Sequence, residues 1–434
     1  MAEEFNVEAL VAKAQTGNPD AQYRLSALLM GEQQSDAALS WLRKAAANNH
    51  SDARFTLANF YMSGQMVPRD TKRAAEMIIQ LHEGGYGAAG QMLSAMLASG
   101  YCVERDWSAA LDILLLYADL GRIGALREVA LLLILSGKDD ALSHDLLMAA
   151  ATRGDIHSAM VLSHRHTLGD KRVDAALAAF WCERAKEMGH PGALKYSALI
   201  DADAQADTPN ITDIPLLNLA KLKKLLAKES GKALPKQNTL FDRPTVKSFK
   251  GLVPIEICHH LIGMTAPGML VASVFNPQTG AQQADPQKNC MQRIFLPMEM
   301  DLTSHVICAR MAACAGMTSP HSEYLQIFMY QPGQVFVPHL DGFEGTPESN
   351  PDLHRGGQRL KSVFLYLNDD YEGGETHFCV MNEKIKGSVG EAIVIYNTLE
   401  DGTLDDQSVH EAFPTLDSAK WIASLYLREK PFVY

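Results

Sequence analysis

A pattern that recurs every 32 to 36 residues dominates the first half of the chain. The pattern is an alanine, three further residues and an apolar or small residue, and Ala-rich helical stretches lie between its copies. A helical hairpin of this length buries its apolar face only by stacking on neighbouring hairpins. The sequence therefore predicts an α-helical repeat solenoid over residues 1–205. The copies begin at Ala21, Ala53, Ala89, Ala125, Ala159 and Ala193.

The composition of the 434-residue chain is that of a folded, multidomain protein. Hydrophobic residues make up 47% and charged residues 21%, which excludes a disordered or collagen-like chain. The net charge of −12 argues against a nucleic-acid partner, because binding to a phosphate backbone requires positive patches. No apolar run reaches the roughly 18 residues of a membrane span, so no membrane association is expected.

Seven cysteines are scattered along the chain without a CxxC pair. This usage favours a reduced compartment, and the amino-terminal stretch lacks the features of a signal peptide. The expected location is the cytoplasm.

The helical rhythm stops near residue 205, and residues 206–240 are expected to form a linker and an amphipathic helix. Four leucines at helical spacing, from Leu216 to Leu226, mark the apolar face of that helix. Six lysines between Lys221 and Lys236 could form a nucleic-acid patch, but no aromatic residues interleave them. A solvated helix face is the favoured interpretation.

From about residue 241 the periodicity shifts towards two, which indicates β-strands. The strings YLQIFMY, LKSVFLYLN, EAIVIYN and WIASLYLRE are separated by Gly- and Asn-containing turns. Helices are expected around PIEICHHLIG and MDLTSHVICARMAACAG. Residues 241–434 are therefore predicted to form a double-stranded β-helix (jelly-roll) with flanking helices, so that the whole chain is a multidomain α and β protein.

The string YQPGQVFVPHLDGF carries the most informative chemistry. His339 and Asp341 are two residues apart at the predicted end of a strand, so their side chains should leave the same face. His410, in QSVHEAF, offers a third ligand. Two histidines and one carboxylate are the ligand set of non-haem Fe(II) oxygenases, whereas a structural zinc site favours a closed set of thiolates or imidazoles.

Lys420 follows His410 by ten residues and begins an otherwise apolar strand, KWIASLYL. A lysine is costly to bury unless it meets an anion. The distal carboxylate of 2-oxoglutarate would be a suitable partner, and the alternative is a lysine that points to solvent at the start of the strand.

Residues 324–429 resemble the 2-oxoglutarate/Fe(II) dioxygenase domain of the prolyl 4-hydroxylase family. The matching strings are YQPGQVFVPHLDGF, GGQRLKSVFLYLNDDYEGGETHF, GEAIVIYN and DGTLDDQSVHEAFPTLDSAKWIASLYLRE. In the first half, SGQMVPRDTKRAAEM and SGYCVERDWSAAL resemble the inter-helix segment of Sel-like tetratricopeptide-type repeats.

The prolyl 4-hydroxylase resemblance implies a role for each matching residue. It implies Fe(II) as metal, 2-oxoglutarate as cosubstrate, ascorbate as a reductant, and Arg359 as a residue that faces the peptide substrate. It implies the iron ligands His339, Asp341 and His410, and the 2-oxoglutarate contacts Lys420, Tyr330 and Thr376.

The match is incomplete on the substrate side of the cleft. Phe336 and Tyr426 stand where the family often has tyrosine and tryptophan, and DPQKNCMQRIF lacks the usual Arg-Thr-Ser string. Other histidines are weaker ligand candidates, because His377 should face away from Thr376 and because His354 and His321 are expected in loops. These differences put the peptide substrate in question rather than the iron chemistry.

The implied activity is hydroxylation of a prolyl residue at its 4-position in a protein or peptide, with consumption of O2 and release of succinate and CO2. The repeats would dock the target protein, and residues 342–357 would form a mobile lid. One alternative is a hydroxylase of a free amino acid or another small molecule. A second is an interaction protein whose barrel is catalytically silent.

Overall fold

The computed structural model describes residues 6–167, 173–197, 213–228, 232–275, 282–284 and 287–433. The chain forms two compact units: residues 1–114 with residues 297–299, and residues 115–296 with residues 300–434. The predicted domain boundary at residue 205 lies outside the described residues and stays a prediction. No helix within the described ranges has the length and apolar character needed to cross a membrane.

The first unit consists of helical hairpins. Asn18 begins the second helix by accepting a hydrogen bond from the Ala21 amide at 2.8 Å. Gly64 and Gly100 end two later helices in left-handed conformations, with φ of 78° and 77°. Each is the second residue of a segment that resembles the Sel-like repeat. The helices are α1 Val7–Gln15, α2 Pro19–Gly31, α3 Ser35–Ala47, α4 Ser51–Ser63, α5 Thr71–Glu83, α6 Gly87–Ser99 and α7 Trp107–Asp119.

The boundary between the two units falls inside α7, and the hairpin pattern continues in the second unit. All six alanines that begin the sequence pattern lie in helices and are at most 3% exposed, which confirms the helical repeat. The remaining helices are α8 Ile123–Ser136, α9 Asp140–Ala151, α10 Ile156–Thr167, α11 Ala175–Glu187, α12 Ala193–Ser197, α13 Leu219–Leu226, α14 Ile255–Thr265 and α15 Leu302–Cys314.

Helix α13 is the predicted amphipathic helix, but it is shorter than the leucine spacing suggested. Leu222 and Leu226 are buried, whereas Leu216 precedes the helix and is 97% exposed. The Asn218 side chain accepts a hydrogen bond from the Lys221 amide at 2.9 Å and so places the first turn after Leu216. The expectation for Leu216 was therefore wrong.

The strands of the second unit form two main antiparallel sheets, as predicted for a jelly-roll. The larger sheet has the order β1-β2-β12-β9-β14-β7-β6-β3 and the smaller one β11-β10-β13-β8, while β4 and β5 pair separately. The strands are β1 Gln237–Phe241, β2 Val246–Phe249, β3 Leu270–Val271, β4 Ser273–Phe275, β5 Gln282–Ala284, β6 Met291–Phe295, β7 Leu325–Tyr330, β8 Phe336–His339, β9 Arg359–Tyr366, β10 Thr376–Phe378, β11 Glu383–Ile385, β12 Ala392–Tyr396, β13 His410–Ala412 and β14 Lys420–Arg428.

A buried cluster joins residues of both sheets. Phe328, Phe364 and Ile422 come from the larger sheet, and Phe378 comes from the smaller one. Because side chains alternate along a strand, the neighbours of these residues point away from the cluster. The apolar interior therefore sets which polar side chains of β7, β10, β13 and β14 can enter the space between the sheets.

Candidate active site

The three predicted iron ligands meet at one end of the smaller sheet. His339 ends β8 and His410 begins β13, and the two residues are direct partners in the antiparallel register. Asp341 follows just beyond the end of β8. The convergence was predicted, but its cause differs from the expected strand alternation, because the strand stops at His339 and the turn that follows directs the carboxylate.

The ligand atoms of these residues face one another. His339 Nε2 lies 3.7 Å from Asp341 Oδ1, and His410 Nε2 lies 3.7 Å from Asp341 Oδ2. The nitrogen and carboxylate atoms all lie within 4.8 Å of one another. Separations of this size suit ligands that bind a common cation at about 2.0–2.2 Å.

Hydrogen bonds on the far side of each ring present the correct nitrogen. The Nδ1 of His339 donates to the Val337 carbonyl at 2.8 Å, and the Nδ1 of His410 donates to the Ser408 carbonyl at 2.9 Å. A proton held on Nδ1 leaves a lone pair on Nε2, which is the arrangement that metal-binding histidines adopt.

Asp341 is 5% exposed, and its Oδ2 has no hydrogen-bond partner among the described residues. Burial alone would raise the pKa of this carboxyl, but His410 and His339 outweigh burial and hold the pKa below its usual range. A buried carboxylate oxygen without a partner is costly unless a cation satisfies it. Fe(II) therefore fits these three residues, which would hold it through two imidazole nitrogens and one carboxylate.

Lys420 lies deeper in the cleft, at the start of β14. It is 1% exposed, which excludes the alternative of a solvent-facing lysine, and its Nζ donates to the Gly374 carbonyl at 2.8 Å. Burial lowers the pKa of this amine to about 8. Tyr330 is its register partner on β7, and Lys420 Nζ lies 5.6 Å from the centroid of that ring. An anionic ligand would restore full charge to the amine.

The GGETHF turn shapes the same end of the cleft. Gly373 and Gly374 have φ of 68° and 69°, and a Cβ on Gly374 would lie 2.8 Å from Thr415. The turn thereby brings the Gly374 carbonyl to Lys420. Thr376 follows, and its hydroxyl lies 3.2 Å from that of Tyr366.

Arg359 is held at the base of the ligand group. Its guanidinium forms a bidentate ion pair with Glu323, at 2.6 and 2.8 Å, and donates to the Asp341 carbonyl at 3.2 Å. Burial opposes the charge, but the Glu323 carboxylate outweighs burial and raises the pKa of Arg359. The structure thus gives Arg359 a contact with the main chain of Asp341, and its predicted contact with peptide stays a prediction.

The two departures from the family pattern lie at this site. Phe336 stacks on the His339 ring, with centroids 3.6 Å apart and planes 10° from parallel. The Tyr426 ring lies under the Arg359 guanidinium, 4.0 Å from its carbon atom to the ring centroid. Of the competing histidines, His354 is exposed and His377 contacts Glu411 at 2.8 Å, away from the triad.

Sequence reasoning missed two residues that complete this arrangement. Glu323 precedes β7 without any motif, and only the fold shows that it neutralises Arg359. Tyr366 ends β9 and shares the face of Phe364, so the alternation of that strand could have placed it in the interior.

Comparison with known proteins agrees with both halves of the chain. Residues 325–428 match the family model of the 2OG-Fe(II) oxygenase superfamily, and residues 19–50, 51–80 and 158–190 match the Sel1 repeat. Prolyl 4-hydroxylase 1 of Arabidopsis thaliana is 29% identical over 189 residues, which cover 40% of this chain and 65% of that protein. The chain thus spans slightly less than two thirds of the length of this curated relative.

Two solved structures resemble separate parts of the chain. A viral collagen prolyl hydroxylase from Paramecium Bursaria Chlorella virus-1, solved as a 2OG complex, is 23% identical with a TM-score of 0.33, and the match covers 42% of this chain and 95% of that one. A protective antigen of uropathogenic Escherichia coli strains with an SLR fold is 23% identical with a TM-score of 0.40, and the match covers 52% of this chain and 49% of that one.

The family match, the relatives and the position of the His-Asp-His group agree with one another. Residues 325–428 match the 2OG-Fe(II) oxygenase superfamily and are similar to prolyl 4-hydroxylases, and the amino-terminal half of the same chain matches the Sel1 repeat.

Proposed function

We propose that this protein is an Fe(II)- and 2-oxoglutarate-dependent dioxygenase that hydroxylates a prolyl residue of a protein or peptide at its 4-position. One observation carries the proposal. His339, Asp341 and His410 turn their ligand atoms towards one point, and one buried oxygen of Asp341 has no other partner among the described residues. Three protein ligands leave positions free for a cosubstrate and O2.

The residues of the chain divide the work of binding and orientation. His339, Asp341 and His410 would hold the metal, and the backbone carbonyls of Val337 and Ser408 keep both rings in the metal-binding tautomer. Bound Fe(II) supplies the redox chemistry that couples decarboxylation of 2-oxoglutarate to C–H hydroxylation.

Lys420 and Tyr330 would bind the distal carboxylate of 2-oxoglutarate. Both side chains are at most 4% exposed, so that an ion pair formed there is shielded from water. Burial raises the pKa of Tyr330 well above its usual value, and its hydroxyl therefore stays protonated as a hydrogen-bond donor. The apolar side chains of Phe328, Phe364 and Ile422 line the cleft and exclude water.

The prolyl substrate is proposed from the relatives, which are named as prolyl 4-hydroxylases. In this proposal Arg359 lies close to the bound peptide, residues 342–357 close over it, and the Sel1 repeats dock the target protein. In the same proposal the reaction takes place in the cytoplasm, and ascorbate is the reductant that keeps the metal as Fe(II).

Succinate release and mass spectrometry test this function together. The full chain is loaded with Fe(II) and given 2-oxoglutarate, O2 and proline-containing peptides or a cell extract. We expect succinate release coupled to the gain of one oxygen atom on a prolyl residue. A gain of oxygen only on a free amino acid or another metabolite would show that the substrate is a small molecule. The absence of turnover with any substrate would contradict the proposed enzymatic activity.

Docking by the repeats requires a separate comparison. Charge-reversal of exposed residues in the first unit should lower turnover of the intact target protein and leave turnover of a short peptide from the same target unchanged. Equal turnover of both substrates by such variants would show that the repeats do not recognise the target.

A further inference from the structure

The outer face of the smaller sheet carries a second group of metal-binding residue types. His377 lies in β10 and Glu411 in β13, and the two are register partners. Cys379 follows β10 directly. Because Phe378 and His410 point towards the space between the sheets, their neighbours His377 and Glu411 point the other way. The group therefore lies on the face opposite the His-Asp-His site.

Three different ligand atoms converge in this group. His377 Nδ1 lies 2.8 Å from Glu411 Oε1, and Cys379 Sγ lies 3.8 Å from the same oxygen. Their ligand atoms all lie within 4.8 Å of one another, and all three residues are half-buried. Among the described residues, only this group and the His339-Asp341-His410 group bring such atoms so close together.

The hydrogen bonds of His377 leave a position for a cation. Asn382 Oδ1 lies 3.1 Å from Nε2 on the other side of the ring and accepts a hydrogen bond from it. With the proton on Nε2, the lone pair of Nδ1 faces Glu411 Oε1, and two acceptors at 2.8 Å repel each other. A metal ion bound by both atoms would remove the repulsion. In metal sites, a hydrogen bond from the ring nitrogen that does not bind the metal orients the histidine, and Asn382 would provide this bond for His377.

The donor set indicates which ion would bind. Thiolate, imidazole and carboxylate together suit Zn²⁺, which binds them at about 2.0–2.3 Å in tetrahedral geometry. Tetrahedral ligands at those bond lengths lie about 3.3–3.8 Å apart. The sulfur–oxygen separation already has this size, and His377 and Glu411 would have to move apart by about half an ångström.

We propose that His377, Cys379 and Glu411 form a second divalent-cation site of the Zn²⁺ type, with its fourth position open to water. The ion would join β10 to β13, the strands that carry Thr376 and His410 on their other face. Its occupancy would stiffen the wall of the oxygenase cleft without touching the cleft itself.

One positive charge lies near the proposed site. Lys384 is the register partner of His377 on β11, and its ammonium lies 4.6 Å from the centroid of the Phe413 ring. The lysine is exposed, so water and salt screen its charge. Removing this positive charge should tighten binding of the ion. Lys384→Gln is therefore expected to raise the affinity for the metal, whereas loss of a ligand lowers it.

Cobalt separates the two sites, because only one of them contains sulfur. Chelator-treated full-length protein is titrated with Co²⁺ and, separately, with Zn²⁺. A thiolate bound to Co²⁺ gives charge-transfer absorption in the near ultraviolet, and the His339-Asp341-His410 site has no thiolate to produce it. We expect this absorption in the wild type and two equivalents of bound Zn²⁺.

Matched variants assign the signal to particular residues. Cys379→Ala and Glu411→Gln should each lose the near-ultraviolet absorption and one equivalent of Zn²⁺. Asp341→Asn should lose the other equivalent and keep the absorption. Cys102→Ala is the control, since Cys102 is also half-buried but lies in the first unit. Cys102→Ala should keep the near-ultraviolet absorption and both equivalents of Zn²⁺.

Two results would overturn the proposal. One is a wild type that binds a single equivalent without near-ultraviolet absorption. The other is absorption that persists in Cys379→Ala. Thermal unfolding of each variant checks that it is folded, and Cys379→Ser provides a second cysteine variant of similar size should the alanine variant not fold. Neither outcome depends on whether the enzyme turns over 2-oxoglutarate.

Discussion

Two groups of histidines and aspartates in the second unit have similar composition, but they differ in whether their carboxylate oxygens already have hydrogen-bond partners. The first is His339, Asp341 and His410. The second lies among the helices, where the His157 ring is 5.8 Å from that of His190 and 5.9 Å from that of His260. Asp155 and Asp301 accompany this second group.

The carboxylates of the helical group already form hydrogen bonds and ion pairs with neighbouring residues. Asp301 accepts the Ser304 amide at 2.8 Å as the N-cap of α15 and pairs with His260 at 2.7 Å. Asp155 accepts the Ser158 amide at 2.7 Å and pairs with Arg127. By contrast, Asp341 keeps a buried oxygen without a hydrogen-bond partner among the described residues.

The difference shows that residue types alone do not make a metal site. Ring nitrogens must converge, and a carboxylate oxygen must be left over after the helix caps and ion pairs are formed. The helical group therefore contributes to stability, and the group at β8 and β13 is prepared for a cation.

The largest expected effect separates the two groups directly. Asp341→Asn removes a metal ligand, so succinate release should fall by more than the roughly 100-fold that loss of a ligand's hydrogen-bond partner can cost. His157→Gln should keep turnover close to that of the wild type. Turnover that survives in Asp341→Asn would contradict the distinction between the two groups.

A second large effect is expected at Lys420. Lys420→Ala should raise the KM for 2-oxoglutarate by about 100-fold or more, because removing one partner of a buried ion pair costs about 3 kcal/mol or more. The exposed Lys386 is the matched control, and Lys386→Ala should change this KM little. An unchanged KM in Lys420→Ala would place the cosubstrate carboxylate elsewhere.

The helical group should respond in stability rather than in turnover. Asp301→Ala removes a helix cap and the partner of His260, and the free energy of unfolding should fall by about 3 kcal/mol. Denaturant unfolding measures this loss. Turnover per folded molecule should stay unchanged below the unfolding transition, and a variant that loses turnover but keeps its stability would link Asp301 to the chemistry.

The helical group should also set part of the pH dependence of stability. Burial, with Arg127 and His260 nearby, lowers the pKa of His157 to about 3 from 6.5. Between these values the unfolded chain binds one more proton than the folded chain, so the free energy of unfolding falls as the pH falls. The contribution of His157 to the free energy of unfolding is fully present above pH 6.5. Below pH 6.5 it decreases by about 1.4 kcal/mol per pH unit.

A difference measurement isolates this contribution from its neighbours. Burial lowers the pKa of His190 to about 4 and adds to the acid effect, whereas burial and the Asp301 charge raise the pKa of Glu128 to about 8 and oppose it. Unfolding curves from pH 7 to about pH 4 should therefore show a shallower slope in His157→Gln than in the wild type. Parallel slopes would mean that His157 titrates normally in the folded protein.

The smallest effect is expected at Tyr330. Tyr330→Phe removes one hydroxyl from the proposed cosubstrate pocket, and a net hydrogen bond contributes about 1 kcal/mol. The KM for 2-oxoglutarate should rise by about fivefold with little change in kcat. A large loss of kcat would instead give the hydroxyl a role in the chemistry.

Much of this arrangement could be predicted because its signals are local. The six repeat alanines and the strand that begins at Lys420 follow from periodicity and from the cost of burying an amine. A strand end near His339 and Asp341 was predicted, but the turn that directs Asp341 in place of strand alternation was not.

Long-range pairing was out of reach of the sequence. Glu323 meets Arg359 only once β7 and β9 are in place, and Glu411 meets His377 only through the register of β10 and β13. No periodicity within one segment specifies such a pairing, since it depends on which strands lie side by side. Leu216 shows a different error. The local leucine spacing continues on the amino-terminal side of Asn218, the N-cap at which the helix begins.

The proposed activity depends most on the convergence of His339, Asp341 and His410 on one metal ion beside Lys420. Anaerobic addition of Fe(II) and 2-oxoglutarate tests this directly, because a 2-oxo acid that chelates Fe(II) gives a visible charge-transfer absorption. We expect this absorption in the wild type and in His157→Gln, its weakening in Lys420→Ala at the same 2-oxoglutarate concentration, and its loss in Asp341→Asn. A wild type without the absorption, or an Asp341→Asn variant that retains it in full, would show that these three residues do not hold Fe(II).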